Sequence, residues 1–290
     1  MKPALDDQIH QLLETKLKAL EDHFQADILT YFGPFEGGIE STFLKIIEEL
    51  IDDPNKKDTI YIVLTTGGGS ATVVERLVNI LRQHYTEVNF IVPDYSYSAG
   101  TIFCMSGDNI LMDYFSVLGP IDPQVQNKEG RLVAALGYLD KINELIEKAQ
   151  NNTLTQAEFI ILKDFDLAEL RGYEQAKDLT IDLLENWLVK YKFKNWATHR
   201  KNPAKLGQPV TPQEKIDRAK EIAGHLSDNK EWKSHGRPIN IETLKRLGLE
   251  IDDYSNNADR RKLIRNYYEI VSDYVTSRGY RVFVQTRKFI

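Results

Sequence analysis

Two short segments hold the residues best suited to chemistry: Thr65-Thr66-Gly67-Gly68-Gly69-Ser70-Ala71 and Tyr95-Ser96-Tyr97-Ser98-Ala99-Gly100-Thr101, each directly after an apolar, β-like run. Consecutive glycines at a strand exit leave backbone N–H groups free to converge on one oxygen, and they let a backbone approach a bound group closely. Ser98, followed by Ala99 and Gly100 at the start of an apolar helix, offers an uncrowded hydroxyl where the helix dipole and free amides favour a developing oxyanion. The N–H of Ala99 is a natural second donor. A nucleophile beside an oxyanion hole makes the core of an acyl-transfer site. Each segment alone has a plainer reading, a tight turn for the triglycine and a helix N-cap for the serine. The triglycine is not followed by the Lys-Ser/Thr of a P-loop and does not fit G-x-G-x-x-G, which leaves little for a nucleotide-phosphate cradle.

The elements that must position these residues can be traced along the chain. Ile9, Leu12, Leu13, Leu17, Leu20 and Phe24 recur at steps of three and four and predict an amphipathic helix whose stripe must pack somewhere. Strand-like runs follow at Asp27–Phe32, Asp58–Leu64 and Val88–Val92, separated by helical patterns over Ile39–Ile51 and Ala71–His84. The strands show little polar alternation, so the expected sheet is mostly parallel and covered on both faces. Asn109–Met112 and Ser116–Leu118 read as short strands leading to the rigid turn Gly119-Pro120-Ile121-Asp122-Pro123. Beyond about residue 130 long helical patterns dominate: Leu132–Gln150, Asp164–Lys192, Pro212–Ala223 and Arg260–Val275, with Tyr280–Gln285 as a final strand. Lys194–Pro209, dense in Lys, Asn and Pro, reads as an exposed loop.

Composition bounds the function. With 290 residues, 42% hydrophobic and 28% charged, the chain reads as an ordinary globular protein. A net charge of −6, with both signs mixed, gives no basic footprint for nucleic acid and no cationic face for a membrane. Cys104 is the only cysteine, so no intrachain disulfide is available, in keeping with a reducing cytoplasm. No apolar run approaches the length of a membrane span and the N-terminus lacks the apolar core of a signal peptide; peripheral association with a membrane stays open. His10, His23, His84, His199 and His225 show no metal-ligand spacing, so no metal and no cofactor is expected. The aromatic stretch Trp187–Trp196 reads as a helix end packed on the core, with the grip of an extended peptide or a base as the other reading.

Thr66-Gly67-Gly68-Gly69-Ser70-Ala71, Tyr97-Ser98-Ala99-Gly100-Thr101 and Leu118-Gly119-Pro120-Ile121-Asp122-Pro123-Gln124 resemble, in order and spacing, the serine dehydrogenase proteinase family of Clp/crotonase-fold peptidases. Trp232-Lys233-Ser234-His235-Gly236-Arg237-Pro238-Ile239, followed by Leu247-Gly248-Leu249, is similar to that family's histidine-containing segment. The resemblance covers residues 27–125 well and 160–250 loosely. It implies an α/β Clp/crotonase-like fold with a helical C-terminal elaboration: an N-terminal helix over 1–26, a peptidase domain over 27–255 and a helix-and-strand extension over 256–290. It further implies an ATP-independent serine endopeptidase acting on peptides or proteins, assembled as a homo-oligomer, for which the N-terminal stripe offers an apolar surface. Ser98 matches the nucleophile, and Gly68, Gly69 and Ala99 match the backbone oxyanion donors. Gly67 departs from the family pattern, which usually has proline there.

The serine also needs a proton acceptor. The Clp type carries a histidine about two dozen residues after the nucleophile and an aspartate shortly before a closing Gly-Leu segment. This chain has Asp122 near the first place and His235 near the second, as though exchanged, which suggests a Ser98–His235–Asp122 triad. His235 reads equally as a turn histidine bonded to local backbone. The rival base, by similarity to the serine–lysine dyad of signal peptide peptidase A, is Lys163, if burial lowers its basicity. Lys163 otherwise reads as a solvated helix residue. Two readings from other classes remain beside the peptidase: a crotonase-like enzyme binding acyl-coenzyme A, and a catalytically silent oligomeric scaffold.

Overall fold

A computed structural model describes residues 3–126, 132–200 and 203–289. After α1 (Pro3–Phe24) the chain alternates β1 (Asp27–Phe32), α2 (Ile39–Ile51), β2 (Thr59–Thr65), α3 (Ala71–His84) and β3 (Glu87–Val92). Next come β4 (Tyr95–Ser96), α4 (Ala99–Met105), β5 (Asn109–Met112) and β6 (Val117–Leu118), then the antiparallel pair β7 (Gln124–Gln126) and β8 (Leu132–Ala134). The helical half contains α5 (Ala135–Gln150), α6 (Gln156–Lys163), α7 (Leu167–Trp187), α8 (Pro212–Ser227), α9 (Asn229–Trp232) and α10 (Ile241–Arg246). β9 (Asp252–Asp253), α11 (Ala258–Arg278) and β10 (Phe283–Gln285) complete it.

The main sheet runs β10-β1-β2-β3-β5-β9 among the described residues, parallel throughout except for β10. Successive strand residues point to opposite faces, and here both faces are covered, which explains the near-continuous apolar runs. Leu29, Ile62, Phe90 and Ile110 pack with Phe43, Leu77, Phe103 and Leu184 from α2, α3, α4 and α7. Ile28, Val63, Ile91 and Leu111 turn the other way, onto Leu13, Leu17 and Leu20 of α1 and Tyr267 and Val271 of α11. Most of the stripe of α1 is therefore consumed inside the chain, with Leu12 left exposed. The expectation that it offers a surface for self-association is corrected by this packing: its three central leucines are fully buried.

A second, smaller layer forms where β2 and β3 end. Thr66 bridges Ser96, β4 pairs in parallel with β6, and Leu118 pairs antiparallel with Ile239. Four chain segments distant in sequence are thereby brought side by side at one end of the main sheet. This layer positions the site. The sequence reading of one long helix over Asp164–Lys192 is refined to α7 followed by a π-helical turn at Leu188–Lys192, and part of the helix read over Leu132–Gln150 is β8. Among the described residues no helix is long and apolar enough to cross a membrane.

Candidate active site

Ser98 caps α4 with φ 53° and ψ −119°, a backbone conformation that costs energy for any residue but glycine. The chain must turn sharply there, from the edge of β4 into a helix whose every residue is buried. The close packing is written in the neighbouring glycines. A Cβ on Gly68, itself at φ 107°, would sit 2.8 Å from Ser98 Cβ and 2.9 Å from Tyr97 O. One on Gly100 would run into Ser96 Oγ and Thr66 Cγ2, and one on Gly69 (φ 140°) into the Phe35 backbone. Gly67 differs: its φ is not positive and nothing lies within 4 Å of a Cβ built there. No steric need keeps alanine out of that position.

The triglycine is held as an extra strand. Phe35 N–H donates to Gly68 O (2.9 Å), Ser70 N–H donates to Phe35 O (2.9 Å), and the Ser70 side chain caps α3 by accepting from Val73 N–H. Gly68 N–H donates to Thr66 Oγ1 at 2.9 Å. The sequence reading that counted Gly68 among the oxyanion donors is corrected by this bond, since an amide engaged by a side-chain hydroxyl is not free for substrate. The N–H groups of Gly69 and Ala99 take no partner among the described residues. Among the described residues the N–H groups of Gly67 and Ser98 take none either.

Asp122 and His235 meet. His235 Nδ1 lies 2.9 Å from Asp122 Oδ1, and the carboxylate is 2% exposed. Two ladder bonds between Leu118 and Ile239 (3.0 and 2.8 Å) fix the histidine segment against β6, and Ile121 N–H donates to Leu226 O at 2.9 Å, which fixes the turn carrying Asp122. Lys233, at φ 61°, ends α9 and starts the turn that presents His235. A carboxylate only accepts, so Nδ1 carries the proton and Nε2 is left with a lone pair, as a general base requires. Ser98 Oγ, on a half-exposed residue, takes no hydrogen-bond partner among the described residues. Hydrogen bonds between nucleophile and base are often long without substrate.

Lys163 is not brought to this site in a form suited to a base. It stands exposed at the end of α6, a helix with no buried residue, on which Phe159, Ile160 and Ile161 are exposed as well. The apolar neighbours that suggested burial face outward. A lysine with lowered basicity does exist: burial pushes Lys192 down to about 8, with its Nζ 3.4 Å from Asp108 O. Lys192 lines a cavity of about 560 Å3 with Glu87, Asp108, Trp196 and His199. That cavity lies where β3 and β5 begin, the opposite end of the sheet from Ser98, and has no part in its chemistry.

Sequence reasoning missed two buried hydroxyls. Thr66 engages Gly68, and Thr101 Oγ1 bonds Gly119 and Ser96. The available signal was a polar residue inside an otherwise apolar strand end and helix start.

A model of the family described as ClpP-like SDH-type serine proteinase matches residues 42–203. Curated relatives include the uncharacterized proteins MJ0137 and MJ1495 of Methanocaldococcus jannaschii, each 28% identical, over 198 and 193 residues. These alignments cover 68% and 67% of this chain but 54% and 52% of the relatives, so the chain spans about half their length. Among solved structures, it is similar to the 1510-N membrane-bound stomatin-specific protease. A mutant with the serine changed to alanine matches at 23% identity and TM-score 0.31, covering 50% of this chain and 73% of that one. A lysine-to-alanine mutant in complex with a substrate peptide matches at 24% and 0.31, covering 47% and 65%.

Proposed function

This chain belongs to the ClpP-like SDH-type serine proteinase family, and from that premise we propose that it is an ATP-independent serine endopeptidase with Ser98 as nucleophile, His235 as base and Asp122 as the group orienting His235. The observation that carries this reading is the Asp122–His235 contact of 2.9 Å, which has one end buried and leaves Nε2 as an acceptor. Ser98 Oγ attacks a peptide carbonyl while His235 Nε2 takes its proton, and the resulting oxyanion is held by the amides of Gly69 and Ala99. The same imidazolium then protonates the leaving amine. Water, activated by His235 in turn, hydrolyses the acyl-enzyme and regenerates Ser98. Exposed Gly67 and Gly69 beside a partly exposed Ser98 suit an extended peptide or protein segment as substrate. Self-association belongs to this proposal through surfaces other than the α1 stripe.

The reading is tested by hydrolysis of fluorescein-labelled casein without nucleotide. Wild type is expected to release peptides and Ser98→Ala to retain only background. Equal rates for the two would overturn the proposal.

A further inference from the structure

Parallel pairing between β4 and β6 ends at Ser96 and Leu118. Beyond that point the chain leaves the ladder on both sides: Tyr97 turns into Ser98 and α4, while Gly119 leads through Pro120 to Asp122. Gly119 thus loses its strand partner at the place where nucleophile and acid separate. Thr101 replaces that partner. Its Oγ1, fully buried, accepts from Gly119 N–H at 3.0 Å and donates to Gly119 O at 2.8 Å, with Ser96 O a second acceptor at 3.0 Å. One hydroxyl satisfies both backbone groups of Gly119, groups that would otherwise be costly to bury.

We propose that Thr101 is a positioning residue for the reaction: its hydroxyl fixes the first turn of α4, and so Ser98, against the Gly119–Asp122 turn that carries the partner of His235. The proposal rests on the peptidase reading above. The path between the two groups is short and stiff. On one side only Ala99 and Gly100 of α4 separate Ser98 from Thr101, with Gly100 seated against Ser96 and Thr66 so closely that a Cβ would not fit. On the other, Gly119 packs against the Tyr97 ring with no room for a Cβ, Pro120 has a fixed φ, and Ile121 is tied to Leu226. Leu118, next to Gly119, holds Ile239 and through it the segment that presents His235. A shift of Gly119 relative to α4 therefore changes the separation of Ser98 and His235. Misplacement of a reacting group by about 1 Å costs on the order of 100-fold in rate.

The test compares Thr101→Val, close in shape but without the hydroxyl, with Thr101→Ser, which keeps it. Casein hydrolysis, the rate of fluorophosphonate labelling at Ser98 and thermal unfolding are measured on each, with Ser98→Ala alongside. Thr101→Val is expected to lose on the order of 100-fold in kcat and in labelling rate, with KM within about twofold and an unshifted pH profile. Thr101→Ser is expected to recover most of both. A folded Thr101→Val with wild-type kcat overturns the proposal, as does equal impairment of the two variants, because Thr101→Ser keeps the hydroxyl. If Thr101→Val does not fold, Thr101→Cys decides: its weak thiol donor is expected to give intermediate labelling, and a wild-type rate overturns the proposal. Wild-type hydrolysis by Ser98→Ala would instead defeat the peptidase reading, a separable outcome.

Discussion

His235 Nδ1 and Asp122 Oδ1 lie 2.9 Å apart although 113 residues separate them in the chain. The contact needs three things at once: the β4–β6 pairing, the Leu118–Ile239 ladder and the Ile121–Leu226 bond. Its chemical effect is to place the proton on Nδ1. Asp122→Asn can donate from its amide to Nδ1 and so favours the opposite tautomer, with Nε2 protonated and unable to accept from Ser98. We expect kcat for casein to fall by roughly 10³–10⁴-fold with KM little changed. Retention of wild-type kcat would show that the carboxylate does not orient the base.

Two glycines of the first turn, Gly67 and Gly68, are expected to respond differently. Gly68→Ala places a Cβ 2.8 Å from Ser98 Cβ at a φ of 107°, and should lose about 1–3 kcal/mol of stability from backbone strain together with most labelling of Ser98. Gly67→Ala meets nothing and has no positive φ to violate, so it should be neutral or gain about 0.4–1 kcal/mol through the unfolded state. Thermal unfolding of the two variants, with the labelling rate of each, separates them. Similar losses at both positions would contradict the geometry of the turn.

What was legible in the sequence follows from how local each signal is. The strands could be read because both faces of the sheet are covered, so Ile60–Leu64 and Phe90–Val92 carry uninterrupted apolar runs. Ser98 and the triglycine could be read because a sharp turn demands small residues in sequence. Gly68 was misjudged because its amide is engaged by the Thr66 side chain, and sequence spacing does not report where a hydroxyl points. Lys163 was offered as a rival base on a related signal: Phe159–Leu162 is as apolar as a buried helix face, yet α6 leaves Phe159, Ile160 and Ile161 exposed and packs only Leu162. The stripe of α1 was seen, but its partner, α11, lies more than two hundred residues away.

Thr66 supplies a direct test of the corrected oxyanion assignment. Thr66→Val removes the acceptor of Gly68 N–H in a buried setting and should cost about 1–3 kcal/mol, measured by urea unfolding. Thr66→Ser retains the acceptor and should lose little. An equal loss in both would show that the hydroxyl acceptor is not the source of the effect.

The helical half should be acid-sensitive through its capping boxes. Hydrogen bonds from Lys205 and then from the Thr211 backbone and hydroxyl hold Glu214 down to about 2, and Lys148 with Thr155 does the same for Glu158. Because the folded values lie below the ordinary carboxylate value of roughly 4.3, the stabilisation is fully present above that pH and is lost as pH falls toward 2. Glu214→Gln should therefore unfold at lower temperature than wild type at pH 6, followed by circular dichroism, and the difference should close as pH approaches 2. A difference that is constant across this range would exclude the charge as its source.

The central claim is that Ser98 is activated by His235, with Lys163 uninvolved. The most direct measurement is the rate of fluorophosphonate labelling, with the modified residue mapped by mass spectrometry, in wild type, His235→Ala and Lys163→Ala. The account predicts labelling of wild type at Ser98, a loss on the order of 100-fold or more in His235→Ala and no change in Lys163→Ala. Undiminished labelling in His235→Ala, or a label on any residue other than Ser98, would contradict it.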